Sequence, residues 1–168
     1  MKKLIIALTV CVGVSVFAQD SQVQLKDKKE KEVVSADRVA TWTADVQKAK
    51  AEATKYDLPI LLLYTAPSWC GYCKKLDDQV LTQDEFKAYA NKNLVLLIAD
   101  YSDRAEGAKW GEKNKAIIEA CAIGGFPHMY LLTPAGKNLG SVQYYEPKWS
   151  IKDYLNKMEE LKKSAPAE

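Results

Sequence analysis

Apolar positions follow two spacings along the chain, and these predict an alternation of helices and strands. Between residues 42 and 56 the apolar residues fall at alternating steps of four and three, which places them on one face of a helix. The members of this face are Trp42, Val46, Ala49, Ala53 and Tyr56. Pro59 ends the helix, because the residue before a proline disfavours helical geometry. The apolar runs 60–64 and 94–99 predict strands buried on both faces.

The helical spacing returns after each predicted strand. A charged stretch beyond residue 70 carries Leu76 and Val80 at helical spacing, and residues 84–89 predict a further short helix. Residues 100–107 are interpreted as a loop, and residues 109–121 are predicted to form a helix.

The last part of the chain predicts a hairpin followed by a helix. Apolar runs at 129–132 and 139–145 flank a turn at 133–136. Ser150, with Asp153 three residues later, is typical of a capped helix start. The apolar face of this helix comprises Ile151, Tyr154, Leu155, Met158 and Leu161. The whole order predicts an α/β fold with helices on both sides of a central sheet.

The first residues have the layout of a secretory signal peptide. A basic start is followed by an apolar run, and Val16 and Ala18 supply the small residues of a cleavage site after position 18. The run is shorter than the roughly 20 residues of a bilayer span. We therefore expect a Sec-type signal peptide and export to the periplasm. Processing as a lipoprotein at Cys11 is less favoured, because the apolar run continues past that cysteine.

The remaining chain divides into three predicted regions. Residues 19–38 are rich in charge and poor in large apolar side chains, which predicts a flexible linker. Residues 39–163 have the size of one domain with its own core, and 164–168 form a tail. The 24 basic and 22 acidic residues are interspersed, and the formal net charge is +2, so no nucleic-acid partner is indicated. We expect a monomer.

Two cysteines in a short motif carry the candidate chemistry. Cys70 follows a predicted strand and begins a helical pattern, and Cys73 lies one turn further on. A thiolate at a helix start is favoured by unpaired N–H groups and the helix dipole. Cys70 can therefore attack a substrate disulfide, and Cys73 can resolve the mixed disulfide.

The segment Trp69-Cys70-Gly71-Tyr72-Cys73-Lys74 resembles the active-site motif of thioredoxins, and Gly125-Phe126-Pro127 resembles their cis-proline loop. The resemblance extends over roughly residues 42–161 in element order, and it points to exported single-domain thioredoxin-like proteins of bacteria. It implies a thioredoxin fold with a mixed central sheet, and a redox-active disulfide in place of any cofactor or metal.

The resemblance also implies a substrate-docking surface beside the cysteines. Pro127 would be cis and face the cysteine pair, and the backbone of Phe126 would pair with an extended segment of a substrate protein. Trp69 would shield the sulfurs, and Gly71 and Tyr72 would complete the surface. The implied partners are proteins with thiols or disulfides and a membrane-bound or soluble redox protein that recycles the pair.

Two positions depart from the family pattern. Thioredoxins carry a buried Asp six residues before the first cysteine, where this chain has Tyr64. Strong oxidants of the superfamily carry a His between the cysteines, where this chain has Gly71 and Tyr72. The second departure favours a reducing protein over a strongly oxidising one.

Other interpretations of the same residues remain open at this point. The Cys70–Cys73 disulfide could be structural, although so short a loop stabilises a fold little. A non-catalytic module could bind peptide in the same groove, or copper or zinc through Cys70, Cys73 and His128, although a structural zinc site needs four ligands. Cys121 is interpreted as a buried core residue. The favoured prediction is a thiol-disulfide oxidoreductase.

Overall fold

A computed structural model describes residues 34–144 and 148–164. The strands are β1 (Trp42–Thr43), β2 (Ile60–Thr65), β3 (Val95–Asp100), β4 (His128–Leu132) and β5 (Asn138–Gln143). The helices are α1 (Val46–Tyr56), α2 (Gly71–Leu76), α3 (Asp84–Asn93), α4 (Arg104–Lys113), α5 (Lys115–Ala120) and α6 (Ile151–Lys163), and a π-helical turn, Asp77–Leu81, follows α2. The predicted signal peptide, residues 19–33 of the predicted linker and residues 165–168 of the predicted tail lie outside the described residues.

The strands form one mixed sheet in the order β1-β3-β2-β4-β5. The first three strands in this order are parallel, whereas β4 is antiparallel to both β2 and β5. All residues of β2 are buried, because helices cover both faces of the central strand. The predicted α/β fold is therefore confirmed.

Alternate side chains of β2 divide the core into two clusters. Leu61 and Leu63 pack with Leu76 of α2 and with buried residues of α3 and α6. Ile60, Leu62 and Tyr64 face the opposite side and pack with buried residues of α1 and α5. This alternation follows from the strand geometry, in which successive side chains point to opposite faces.

The start of α1 differs from the prediction. The helix begins at Val46, because the carboxylate of Asp45 accepts hydrogen bonds from two backbone N–H groups in the first turn. The prediction that Trp42 belongs to the helical face is wrong. Trp42 lies in β1 and pairs with Leu96 of β3. Its partly buried ring packs in the cluster on the other side of the sheet from α1.

The region after β3 also differs. Residues 104–107 are helical, so the predicted loop at 100–107 is wrong over that part. The carboxylate of Asp103 accepts hydrogen bonds from the N–H groups of Ala105 and Glu106 and starts α4. The predicted helix 109–121 is two helices, interrupted at Asn114, whose backbone leaves helical geometry.

The C-terminal predictions agree with the structure. Strands β4 and β5 form the predicted hairpin, and the turn between them contains Gly136 at φ 92°. Strand β5 ends at Gln143, earlier than the predicted end at residue 145, which lies outside the described residues. Ser150 and Asp153 form the predicted capping box at the start of α6. Tyr154, Met158 and Leu161 are the buried members of the predicted apolar face. Within the described ranges, no helix has both the length and the apolar character that crossing a bilayer requires.

Candidate functional site

Cys70 is the residue that caps the start of α2. Strand β2 ends at Thr65, and a short turn closes when the N–H of Cys70 donates to the carbonyl of Ala66 at 2.9 Å. The extended backbone of Cys70 then lets its sulfur accept a hydrogen bond from the N–H of Cys73, with 3.2 Å between the atoms. Strand end, turn and helix start thus fix the two cysteines against each other.

The two sulfurs differ in exposure and in protonation. Cys70 is 8% exposed and Cys73 is 2% exposed, so Cys70 is the outer of the two free thiols. Burial, with a contribution from the neighbouring Cys70, raises the pKa of Cys73 to about 11. The Thr65 hydroxyl and the Ala66 N–H oppose this shift through hydrogen bonds to the same sulfur. In the dithiol form, Cys73 therefore keeps its proton at neutral pH.

The loop before β4 lies directly against Cys70. The peptide bond between Phe126 and Pro127 is cis. The Cys70 thiol donates a hydrogen bond to the carbonyl oxygen of Phe126, at 3.6 Å. The Phe126 ring meets the Trp69 ring edge-on, with 5.5 Å between centroids. The structure therefore brings Trp69, the cysteine pair and the Phe126–Pro127 loop together.

Aromatic side chains form the surface around the cysteines. Trp69 and Tyr72 are 46% and 61% exposed, which is unusual for aromatic residues within 34–144 and 148–164. Tyr72, Phe126, Pro127 and Tyr144 line a groove of about 290 Å³ next to the pair. A Cβ atom added at Gly71 would meet no neighbouring atom within 4 Å, so the surface is open at this position.

Tyr101 supports this surface from behind, although its position in the predicted loop 100–107 indicated no role. Its carbonyl accepts a hydrogen bond of 3.0 Å from the indole N–H of Trp69. Its half-buried ring packs against Phe126, with 5.2 Å between centroids. The signal in the sequence was its position just after β3: adjacent parallel strands end at the same edge of a sheet, and β2 ends beside the cysteines.

His128 does not join the cysteines. Its ring stacks on Tyr130 of the same strand, with 4.5 Å between centroids and 14° between planes. Burial lowers the pKa of His128, and its Nε2 atom is buried without a hydrogen-bond partner. Among residues 34–144 and 148–164, no three His, Cys, Asp or Glu side chains are grouped as a metal site would require. The geometry therefore does not support the hypothesis of a copper or zinc site at Cys70, Cys73 and His128.

Tyr64 occupies the position where thioredoxins carry an acid. Its ring is fully buried and meets the rings of Trp110 and Tyr130 edge-on. The hydroxyl has no hydrogen-bond partner, and burial raises its pKa. Tyr64 faces the cluster that contains Cys121, whose pKa burial raises to about 11. Cys121 is thus a buried core thiol away from the Cys70–Cys73 pair.

Relatives of known function match parts of the chain at low identity. The disulfide bond reductase DsbH of Chlamydia pneumoniae is 29% identical over 87 residues, which cover 51% of this chain and 52% of that protein. A protein disulfide-isomerase of Zea mays is 28% identical over 118 residues, which cover 70% of this chain and 21% of the isomerase. The chain spans about half of the first relative's length and about a fifth of the second's.

Solved structures share the fold. A DsbH oxidoreductase superposes with a TM-score of 0.58 at 22% identity, covering 84% of this chain and 98% of that one. A thioredoxin from Thermus thermophilus superposes with a TM-score of 0.52 at 16% identity, covering 73% of this chain and 87% of that one. A family model described as thioredoxin-like matches residues 41–134, more than half of the 168 residues. The chain belongs to the thioredoxin-like family.

Proposed function

We propose that the protein is a thiol-disulfide oxidoreductase that exchanges disulfides with other proteins through Cys70 and Cys73. The observation that carries this proposal is the placement of the two sulfurs. The sulfur of Cys70 accepts a hydrogen bond of 3.2 Å from the backbone N–H of Cys73. A hydrogen bond of this kind is stronger when the accepting sulfur is a charged thiolate. The inner thiol lies one helical turn away and retains its proton until it is needed. This arrangement suits an attacking and a resolving thiol.

The reaction proceeds in two exchanges. The Cys70 thiolate attacks one sulfur of a substrate disulfide, forms a mixed disulfide and releases the other substrate sulfur as a thiolate, which takes up a proton. Cys73 then loses its proton to solvent and attacks the Cys70 sulfur. The Cys70–Cys73 disulfide forms, the bond to the substrate breaks, and the substrate leaves as a dithiol. No organic cofactor or metal takes part.

Substrate docking is assigned to the surface around Cys70. An extended protein segment would lie along the groove beside Phe126 and Pro127, with its cysteine at Cys70. The exposed rings of Trp69 and Tyr72 give this segment apolar area to cover. The substrates are proteins that contain disulfides, and a separate redox protein returns the pair to the dithiol form.

The direction of electron flow and the cellular location are further parts of the proposal. We propose that the protein acts as a reductase, because Tyr72 stands where strong oxidants carry a His and because one relative is named a disulfide bond reductase. We propose a periplasmic location on the layout of residues 1–18. We propose that the domain acts as a monomer.

Serine variants test the proposed reaction. Incubated with a disulfide-bonded model protein, Cys73→Ser is expected to accumulate a mixed disulfide through Cys70, and Cys70→Ser is expected to form none. Cys121→Ala is the matched control, because it removes a buried thiol outside the site, and it should behave as the unaltered protein. Unreactive Cys70 in the unaltered protein would contradict the proposal. A double-serine variant of Cys70 and Cys73 that still bound the model protein would instead favour a non-catalytic binding module.

A further inference from the structure

We propose that Tyr144 selects substrates: its ring, beside that of Tyr72, receives a large apolar side chain that the substrate carries two residues from its cysteine. Gln79 is the positioning residue, because it holds the Tyr144 hydroxyl. This inference rests on the proposed function, since a substrate segment lies along the groove only if Cys70 exchanges disulfides. It adds a class of substrate to that function.

The groove beside the cysteine pair has room for one side chain. Tyr72, Phe126, Pro127 and Tyr144 line it, and its volume is about 290 Å³. Pockets that enclose drug-sized ligands range from about 300 to about 1,000 Å³, so this groove is too small to indicate such a ligand. Three of the four lining residues are aromatic. Such a lining favours an apolar side chain, because covering the rings removes apolar area from water.

The ring of Tyr144 is supported by two neighbouring rings. Its centroid lies 6.3 Å from that of the Tyr72 ring, with 60° between the planes, so the two rings form a continuous aromatic surface. The Tyr144 ring also stacks on the buried Tyr154 of α6, with 6.3 Å between centroids and 17° between planes. A ring that is already held in place loses little conformational freedom when a substrate covers it, which favours binding.

Gln79 fixes the outer end of the Tyr144 side chain. The Tyr144 hydroxyl donates a hydrogen bond to the Oε1 atom of Gln79, with 2.9 Å between the oxygens. This bond joins the residue after β5 to the helical segment that carries the cysteines. The Tyr144 ring therefore cannot turn away from the groove without breaking the bond.

The π-helical turn Asp77–Leu81 places Gln79 at the surface. In a regular α-helix, the residues three and four positions after the buried Leu76 share its face, and Gln79 would be one of them. The backbone hydrogen bonds of a π-helix span five residues instead of four, so each turn is wider. The residues that this turn buries are Val80 and Leu81, whereas Gln79 is exposed. The wider turn thus makes the Gln79 amide available to a partner outside the helix.

The position of the groove next to Cys70 determines which substrate residue reaches it. In an extended segment, alternate side chains point to the same side, and two residues span roughly 6.6 Å. Because the substrate cysteine faces Cys70, the other side chains that face the protein belong to the residues two positions before and two positions after it. A side chain at one of these positions enters the groove. The immediate neighbours of the cysteine point away from the surface.

Symmetric peptide disulfides test the assignment. Each consists of two identical short peptides without charged side chains, joined through their single cysteines, so attack on either sulfur gives the same products. The Cys70 thiolate forms a mixed disulfide with one peptide and releases the other as a thiolate. The Cys73 thiolate then attacks the Cys70 sulfur, the Cys70–Cys73 disulfide forms, and the second peptide leaves as a thiolate. The rate constant for oxidation of the reduced protein is measured by acid quenching.

Three peptides are compared. The first has phenylalanine two residues before and two residues after the cysteine, with serine at the adjacent positions. The second is its isomer, with phenylalanine adjacent to the cysteine and serine two residues away. The third has serine at all four positions. The comparison of the two isomers separates position in the segment from total hydrophobicity.

We expect the unaltered protein to react about fivefold faster with the first peptide than with the all-serine peptide, which corresponds to covering about half of an aromatic side chain. The isomer should show no such gain, and Tyr144→Ala should abolish the preference. Tyr144→Phe and Gln79→Met each remove the hydrogen bond and should lower the preference about twofold. Combining these two substitutions should lower it no further, because they remove the same bond. Gln79→Glu keeps an acceptor and should retain the preference.

Tyr89→Ala is the matched control. Tyr89 is also half-buried and also donates its hydroxyl proton to a side chain, that of Glu159, but it lies on α3 and does not line the groove. This variant should keep the preference of the unaltered protein. If Tyr144→Ala does not fold, Tyr144→Phe and Gln79→Met still test the assignment.

Four results would overturn the role of Tyr144 while leaving the proposed function intact. These are equal rates with all peptides, a faster reaction with the isomer, a preference that persists without the Tyr144 ring or its hydrogen bond, and an equal loss of preference in Tyr89→Ala. Failure of the reduced, unaltered protein to react with any of the peptide disulfides would overturn the proposed function itself.

Discussion

The indole N–H of Trp69 donates a hydrogen bond of 3.0 Å to the backbone carbonyl of Tyr101. This bond joins the residue before the first cysteine to the residue after β3, and the Tyr101 ring continues the contact to Phe126. A second link lies beside it, where the hydroxyl of Ser68 donates to the carbonyl of Ser102 at 3.0 Å. The exposed aromatic surface at Cys70 is therefore held by the ends of two parallel strands.

Gly107 is expected to be essential to this support. A Cβ at this position would lie within 3.0 Å of three ring carbons of Tyr101, whereas at Gly111, one turn later, the nearest atom is the Tyr101 hydroxyl at 3.3 Å. Gly107→Ala should lower the free energy of unfolding by about 1–2 kcal/mol, because overpacking outweighs the gain in helix propensity. It should also slow exchange with glutathione disulfide.

Gly111→Ala serves as the control for that comparison. It adds the same methyl group to the same helix, and it should leave stability unchanged or raise it by up to about 1 kcal/mol. Urea denaturation and exchange rates of both variants provide the measurement. Equal free energies of unfolding in the two variants would show that the Tyr101 ring does not pack tightly against Gly107.

Arg38 is expected to contribute strongly to stability. Its side chain is 6% exposed, and its guanidinium donates to Glu52 of α1 at 2.7 Å and to the carbonyls of Asn91 and Leu94 at 2.8 Å. Lysine has the charge but not the planar fork that reaches these acceptors together. Arg38→Lys should therefore lower the free energy of unfolding by about 2–4 kcal/mol, measured by urea denaturation.

The exposed Arg104 supplies the comparison for Arg38. Its guanidinium lies over the Trp69 ring at 5.0 Å, and the residue is exposed, so Arg104→Lys should change stability by less than about 0.5 kcal/mol. If Arg38→Lys were no more destabilising than Arg104→Lys, the network around Arg38 would carry little of the fold's stability.

His128 should impose a pH dependence on stability. Burial lowers the pKa of His128 below the value of about 6.5 that it has in the unfolded chain. Just below pH 6.5, the histidine is therefore protonated in the unfolded chain but still neutral in the folded protein. Stability is therefore full above this window and falls as the pH drops toward the folded-state pKa. His128 is the one histidine of the chain, so His128→Gln should flatten the curve.

Urea denaturation at a series of pH values checks this prediction. Carboxylates titrate mainly at lower pH, so the comparison is made between about pH 7 and pH 5. Parallel stability curves for the unaltered protein and His128→Gln in that range would contradict the assignment.

The strands and the cysteine pair could be predicted because their signals are local. Continuous apolar runs predicted β2 and β3, since strands covered on both faces need no polar side. The position of Cys70 after β2 predicted its place at the start of α2, and Ser150 with Asp153 predicted the capped start of α6. Each of these features depends on residues close together in sequence.

The features that the sequence did not predict depend on contacts between distant segments. Trp42 fits the helical spacing of α1, but pairing with Leu96 places it in a strand. Gly107 was predicted to lie in a loop, yet it lies inside α4. A glycine is needed there because the Tyr101 ring occupies the space that a Cβ would take.

The redox equilibrium of the Cys70–Cys73 pair tests the central claim most directly. The purified protein would be equilibrated with mixtures of reduced and oxidised glutathione, and the fraction of disulfide would be measured after acid quenching, with Cys121→Ala as the control. We predict a reversible two-electron transition in both proteins, at a potential near the roughly −270 mV of thioredoxin. A potential near about −120 mV would reverse the proposed direction of electron flow. A pair that does not equilibrate with glutathione at all would contradict the claim that it exchanges disulfides.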